Sequence, residues 1–421
     1  MEESKKIGKG AKYLIANDLI YSITGIFLST FLVAYFLKIT NENIIQIALY
    51  YIIVNMTSGI GALLIGHFIK NKPKVKIRIF LLSIVLRAIF ILFIVILGEK
   101  LASNFIIVAI FYGLSELLFW STHETIFIGV TTNSNRQDYV SIKHIISKIS
   151  KIVVPIILGS SIELYSFSKI AIYVLILSII QIFISLQINT NEDNSEEKIE
   201  KYDIKQHIKK LKNSKRTKLN QYYKSNLIYG IIEDPMSTIV TILTVMTFKT
   251  SLNLGILTTI FSACAMGTIY IYKKYYNKKN CGIILWICAA LIILGALGII
   301  FNTNRLTLVI YNFACTVSLC IFDAIYNTQK GNLVQECNIE KRKVEHIMLN
   351  SFCTRMSRMT GFILILIAGI IGNMTAFKIV LLLITICVPI YINLIIKLER
   401  NEEKWKIQEK CYTSLVKFPL V

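Results

Sequence analysis

The chain has 421 residues, a formal net charge of +21 and 54% apolar residues, with a mean hydropathy of +0.60. That composition is far more apolar than a soluble domain of this length and makes a water-soluble enzyme a poor fit. The basic loops lack interleaved aromatics or a binding motif, so no nucleic-acid partner is expected.

Twelve apolar runs of about 20 residues follow one another, near 13–37, 44–69, 78–98, 104–127, 141–163, 170–188, 223–248, 253–272, 282–301, 306–328, 347–372 and 376–397. Each can cross a hydrocarbon layer of roughly 30 Å. Backbone polar groups must pair internally in lipid, so the runs are predicted to be helices. The first run is too long for a secretory signal and lacks a small-residue cleavage site, and is expected to stay as a helix.

Cations cluster in alternate connections: the start (Lys5, Lys6, Lys9, Lys12), 70–78, 136–143, 198–218, 273–279 and 330–343. The intervening connections carry about one each: Lys38, Lys100, Lys169, Lys249, Arg305 and Lys378. By the positive-inside rule this predicts a multi-pass protein of the plasma membrane with both termini cytoplasmic. Anionic lipid headgroups are the expected partners of the inner loops.

The chain is expected to divide into a six-helix unit (1–188), a charged cytoplasmic linker (189–222), a second six-helix unit (223–397) and a cytoplasmic tail (398–421). The linker opens acidic (Glu192, Asp193, Glu196, Glu197) and turns basic (Lys205 to Lys218). Ile204, Ile208 and Leu211 have helical spacing, which predicts a short amphipathic helix on the inner leaflet. Trp405 in the tail suits the membrane interface. All nine cysteines fall between Cys264 and Cys411 without a CxxC pair, so neither a disulfide framework nor a metal site is predicted. His123-Glu124 lacks the second histidine of a zinc motif. No phosphate-binding Gly-x-x-x-x-Gly-Lys-Ser/Thr occurs, and no cofactor is expected.

Residues 116–151 and 323–358 repeat each other at a fixed offset of 207. Glu116 matches Asp323, and Ser147-Lys148-x-Ser150-Lys151 matches Thr354-Arg355-x-Ser357-Arg358. Charge inside a bilayer is expensive, and a duplicated set of it points to two homologous halves. Helix rise puts Glu116 roughly 18 Å in from the outer face and Lys148 and Lys151 roughly 10–15 Å from the inner one. Glu116 is therefore expected to meet Lys148 and Lys151, and Asp323 to meet Arg355 and Arg358. Arg87 stands alone in the third span, with Asp18 or Glu116 as its expected partner. Asp18 itself fits an ion pair at the inner end of the first span. In Glu233-Asp234-Pro235 the proline predicts a kink. The two adjacent acids are expected on different faces, at least one toward a cavity.

Twelve helices in two related halves joined by a cytoplasmic loop resemble the major facilitator superfamily. The stretch Gly66-His67-Phe68-Ile69-Lys70-Asn71-Lys72-Pro73-Lys74 is similar to that family's signature between helices two and three, with Lys70 where the family has an acid and Pro73 where it has glycine. Gly267, Ile271 and Lys273 form a weaker second copy, and Pro155 with Gly159 faintly matches the family's antiporter motif. The resemblance implies an all-α polytopic fold of two pseudo-symmetric six-helix bundles and transport by alternating access about a midplane site. It further implies that Tyr21, Tyr112, Trp120 and Tyr311, on spans one, four and ten, line a substrate cavity. The charged set implies either an inner gate or proton carriers. The expected function is proton-coupled export, by a monomer, of an amphipathic small molecule such as a drug or peptide-like metabolite. Proton-coupled uptake of a polar nutrient is the alternative, and a non-transporting sensor or lipid-handling protein the second.

Overall fold

The computed structural model describes residues 8–70, 73–131, 136–188, 202–213, 217–275, 280–336 and 342–400. Lys5, Lys6, the acidic start of the linker, Lys215, Arg216 and Trp405 lie outside them. Twelve helices are long and apolar enough to cross a membrane. They are α1 (Lys9–Ile39), α2 (Ile44–Lys70), α3 (Pro73–Leu97), α4 (Phe105–Val130), α5 (Arg136–Tyr165), α6 (Phe167–Leu186), α7 (Thr217–Phe248), α8 (Ser251–Tyr275), α9 (Cys281–Phe301), α10 (Arg305–Glu336), α11 (Lys343–Ile371) and α12 (Met374–Arg400). Several outrun their apolar cores: α5 and α7 begin five or six residues before the predicted starts of 141 and 223. Hydropathy marks only the immersed part of a helix, and polar turns continue it into water.

Polar side chains within the spans are turned back onto the backbone. Ser58 donates to the Val54 carbonyl at 2.8 Å, Thr244 to Val240 at 2.7 Å and Thr385 to Leu381 at 2.7 Å. Each satisfies a hydroxyl that would otherwise be costly in lipid. In α1 a wide π-turn at Phe27–Phe31 lets Phe27 and Tyr35 both stack on Phe167 of α6.

Two long seams join the first six helices to the last six: α2 against α11 and α5 against α8. At the end away from the termini part of the join is apolar, where Phe27, Phe31, Leu32 and Phe36 of α1 share one core with Ile242 of α7 and Leu254 of α8. Proline and glycine set the closest approaches. A Cβ on Gly255 of α8 would sit 2.4 Å from the Pro155 carbonyl oxygen of α5. On Gly361 of α11 it would sit 2.3 Å from the Pro235 ring and 3.1 Å from the Ile231 carbonyl. That carbonyl is the one Pro235 deprives of its helical donor, and only a residue without a side chain can approach it so closely. The α7 helix runs through Pro235 unbroken from Thr217 to Phe248.

The predicted linker helix forms at Ile204–Asn213, with Asp203 accepting the Gln206 amide at 2.8 Å as its N-terminal cap. Its apolar face does not lie free on a leaflet. Leu211 is buried with Leu219 and Tyr222 of α7, Leu333 of α10, Leu349 of α11 and Leu398 of α12. Only Ile208 points away, 43% exposed. Helical spacing correctly marked an apolar stripe but could not say whether lipid or protein would cover it.

Candidate functional site

An ion-pair layer crosses the middle of the bundle, built from α3, α4, α7 and α11. Arg87, 2% exposed, lies fourteen residues into α3 and pairs with Glu116 of α4 at 3.0 Å. Tyr21 of α1 donates to the same carboxylate oxygen at 2.5 Å, and its ring lies under the Arg87 guanidinium at 3.9 Å. Trp120, one helical turn from Glu116, donates its indole N–H to the other oxygen at 3.1 Å. The last ligand comes from the other half: Arg355 of α11 approaches that oxygen at 3.7 Å. Glu116 therefore neutralises one arginine from each half. Of the two partners expected for Arg87, it is Glu116 that pairs with it.

Glu116 does not meet Lys148 and Lys151, and Asp323 does not meet Arg355 and Arg358. The repeat placed these residues at equivalent depths, but facing is set by which helices border each other, and α4 reaches α11 rather than turning its acid to α5. Arg358 instead takes Glu233 at 2.6 Å and Asp234 at 2.9 Å, so both adjacent acids converge on one guanidinium. The long, branched side chain of arginine reaches two carboxylates that adjacent helical positions would otherwise splay apart. Asp323 is exposed and accepts from Asn327 at 2.9 Å and Tyr229 at 3.5 Å. Lys148 is half-buried and Lys151 exposed. Among the described residues none of these three carries an ion pair.

Three of the four aromatics lie in or against the layer. Tyr21 stacks on Phe119 with ring centroids 3.6 Å apart, Tyr112 packs on Phe90, and Trp120 is 42% exposed. Tyr311 does not line a cavity. It is fully buried in the apolar core of the last six helices, with its backbone and ring against Gly295.

Asp18 anchors a second cluster nearer the termini, with His123 at 2.7 Å, Lys143 at 3.1 Å and the Tyr139 hydroxyl at 3.0 Å. This joins α1, α4 and α5 through an ion pair and the His123 imidazole. Among the described residues no three His, Cys, Asp or Glu side chains are grouped to hold a metal.

The sequence reading missed a third cluster. Lys70, at the end of α2, makes a fully buried ion pair with Glu345 in the first turn of α11. The amide of Asp203 also donates to Glu345, at 3.4 Å. Tyr202 seats its ring on Gly66 and donates to the Leu63 carbonyl at 3.0 Å. Burial pushes the Tyr202 phenol up to about 12, aided by the Glu345 charge, so it remains a donor at physiological pH. The available signal was Glu345 itself, an acid two residues after the basic Arg342-Lys343 pair.

No curated protein matches the chain in sequence. Similar solved structures include the nucleoside transporter NupG, with a TM-score of 0.66 and 13% identity over 93% of this chain and 100% of that one. A bacterial homologue of the iron transporter ferroportin in an inward-facing state scores 0.66 at 13% identity, over 93% and 98%. A bacterial metal transporter scores 0.61 at 11% identity, over 93% and 99%. At these identities the likeness is one of fold. The model of the Major Facilitator Superfamily matches residues 15–334, most of the twelve-helix body, and the chain belongs to that superfamily.

Proposed function

We propose that this chain is a secondary active transporter that exports an amphipathic small molecule, a drug or peptide-like metabolite, in exchange for protons. Two six-helix units, 1–188 and 223–397, rock about the ion-pair layer, with the termini and linker on the cytoplasmic side of the plasma membrane. The observation that carries the reading is the Glu116 carboxylate shared between Arg87 of its own half and Arg355 of the other. Protonating Glu116 removes the charge that holds Arg355 across the seam, so one proton changes the attraction between the halves. Glu233 and Asp234, both on Arg358 and partly exposed, offer a second point of entry for a proton.

The test is flux in liposomes holding purified protein, with and without a pH gradient, across dyes, peptides and sugars. Gradient-driven efflux is expected. Glu116→Gln or the Glu233→Gln/Asp234→Asn pair should abolish it while substrate exchange persists. Accumulation in place of efflux would establish uptake, and no flux in any direction would leave a sensor.

A further inference from the structure

A cavity of about 290 Å³ lies at the end of the bundle away from the termini. It is bounded by the α1–α2 connection, the distal half of α7 and the α11–α12 turn, and it shares no residue with the ion-pair layer. Its size is at the lower end of the roughly 300–1,000 Å³ of small-molecule sites. Both sets of six helices line it, with Ile45 of α2 on one side and α7, α11 and α12 on the other.

The walls are apolar because of a spacing in α7. Ile239, Ile242, Leu243 and Met246 follow at intervals of three, one and three and so share one helix face, and all four line the cavity. Ile239 and Leu243 belong to the core of the last six helices, while Ile242 and Met246 pack with the core around α1. The cavity thus sits where the two cores meet. Phe377 of α12 adds an aromatic ring. Two asparagines at its edge are already engaged: Asn43 accepts the Ile45 amide at 3.1 Å, and Asn373 the Ala376 amide at 2.7 Å. Glu42 is the one ionisable residue among those lining it, and among the described residues it makes no ion pair. Its backbone is left-handed (φ 63°), a conformation rare for glutamate, and its amide donates to the Leu37 carbonyl at 2.7 Å. Exposed to solvent while lining the cavity, Glu42 stands at the mouth.

We infer that this cavity binds an apolar ammonium ion from the aqueous phase, its hydrocarbon body against the α7 face and Phe377 and its nitrogen at Glu42. Aliphatic walls offer no hydrogen bond to a polar body stripped of water, so the part that enters must be apolar. One acid without a matching base favours a cation and repels an anion. A quaternary ammonium suits the place further, because an aromatic ring attracts it. The site is separate from the ion-pair layer and does not depend on the transport reading. Since both halves line it, its occupant touches both.

The experiment measures binding to the purified full-length protein in dodecyl maltoside, whose head group is an uncharged sugar, against empty micelles. The probes are phenyltrimethylammonium and its neutral isostere tert-butylbenzene. The cation should bind saturably and about fivefold more tightly than the isostere, as for one charge pair at the edge of water. Raising salt from about 20 mM to about 500 mM should narrow that gap. Glu42→Gln should bring the cation to the level of the isostere and leave the isostere unchanged, while Glu42→Asp keeps the preference. Met374→Trp, at an exposed lining position, should fill the cavity and remove both probes. Added phosphatidylcholine should not displace the cation. The inference is overturned if the cation does not bind saturably, if the isostere binds as tightly, or if Glu42→Gln or Met374→Trp binds the cation like the parent. Displacement by phosphatidylcholine would overturn it too, by making a lipid head group the occupant.

Discussion

The two equivalent acids of the repeat have different fates. Glu116 is held by two arginines, a tyrosine and a tryptophan, and it ties the halves together. Asp323 faces open space with an asparagine and a distant tyrosine. A duplicated sequence has thus given one buried structural joint and one exposed acid. The difference arises at Arg87, whose equivalent by the offset is Leu294, an apolar residue 66% exposed. With no buried arginine behind it, Asp323 has no charge of its own half to neutralise.

Glu116→Gln puts this contrast under the greatest strain, because it strands Arg87 and Arg355 together. It is expected to cost about 3–5 kcal/mol, the range for removing one partner of a buried ion pair. Asp323→Asn should cost below about 1 kcal/mol, as for exposed charges. Thermal unfolding in detergent compares the two, and equal losses would end the claim that only one acid is a joint. Adding Arg87→Met to Glu116→Gln should recover part of the loss.

The α2–α11 seam gives an independent measure of a cross-half pair. Glu345→Gln strands buried Lys70 and is expected to cost about 3 kcal/mol, while Lys70→Met with Glu345→Leu should be milder than either single change. If the double variant is worse than both, the pair contributes net stability that its desolvation does not offset.

Helix approach is the next largest effect. Gly361→Ala forces a methyl group onto Pro235 and the Ile231 carbonyl and should cost about 1–3 kcal/mol by overpacking. Gly267→Ala, in open space, should be neutral or slightly stabilising by the same assay. Smallest is Tyr202→Phe, which removes one hydrogen bond from the linker to α2 and should cost about 1 kcal/mol or less. Spin labels on α2 and the linker helix should show the linker still seated. A large separation would mean that the hydroxyl, rather than the ring on Gly66, holds it.

The twelve helices, the linker helix and the exceptional charges were all legible in the chain, because each follows from a local rule. Apolar run length sets a span, spacing of three or four sets a face, and an ion in a span demands a partner. Arg87, Glu116, Arg355, Arg358, Glu233 and Asp234 stand out on that basis, and each carries an ion pair. Which partner each would take was not legible. Glu116 and Arg355 are far apart in sequence, and periodicity is silent on which helix of the other half borders α4. Tyr311 failed for the same reason, since its position on α10 gave its helix but not its neighbour Gly295. Lys70 stands where the family signature has an acid, and the counter-charge that explains it, Glu345, lies on a helix 275 positions away. The sequence by itself determined where charge enters the membrane, since hydropathy is a property of each segment. Only the tertiary structure decided how that charge is neutralised, since Coulomb attraction depends on distance between helices that the chain order does not encode.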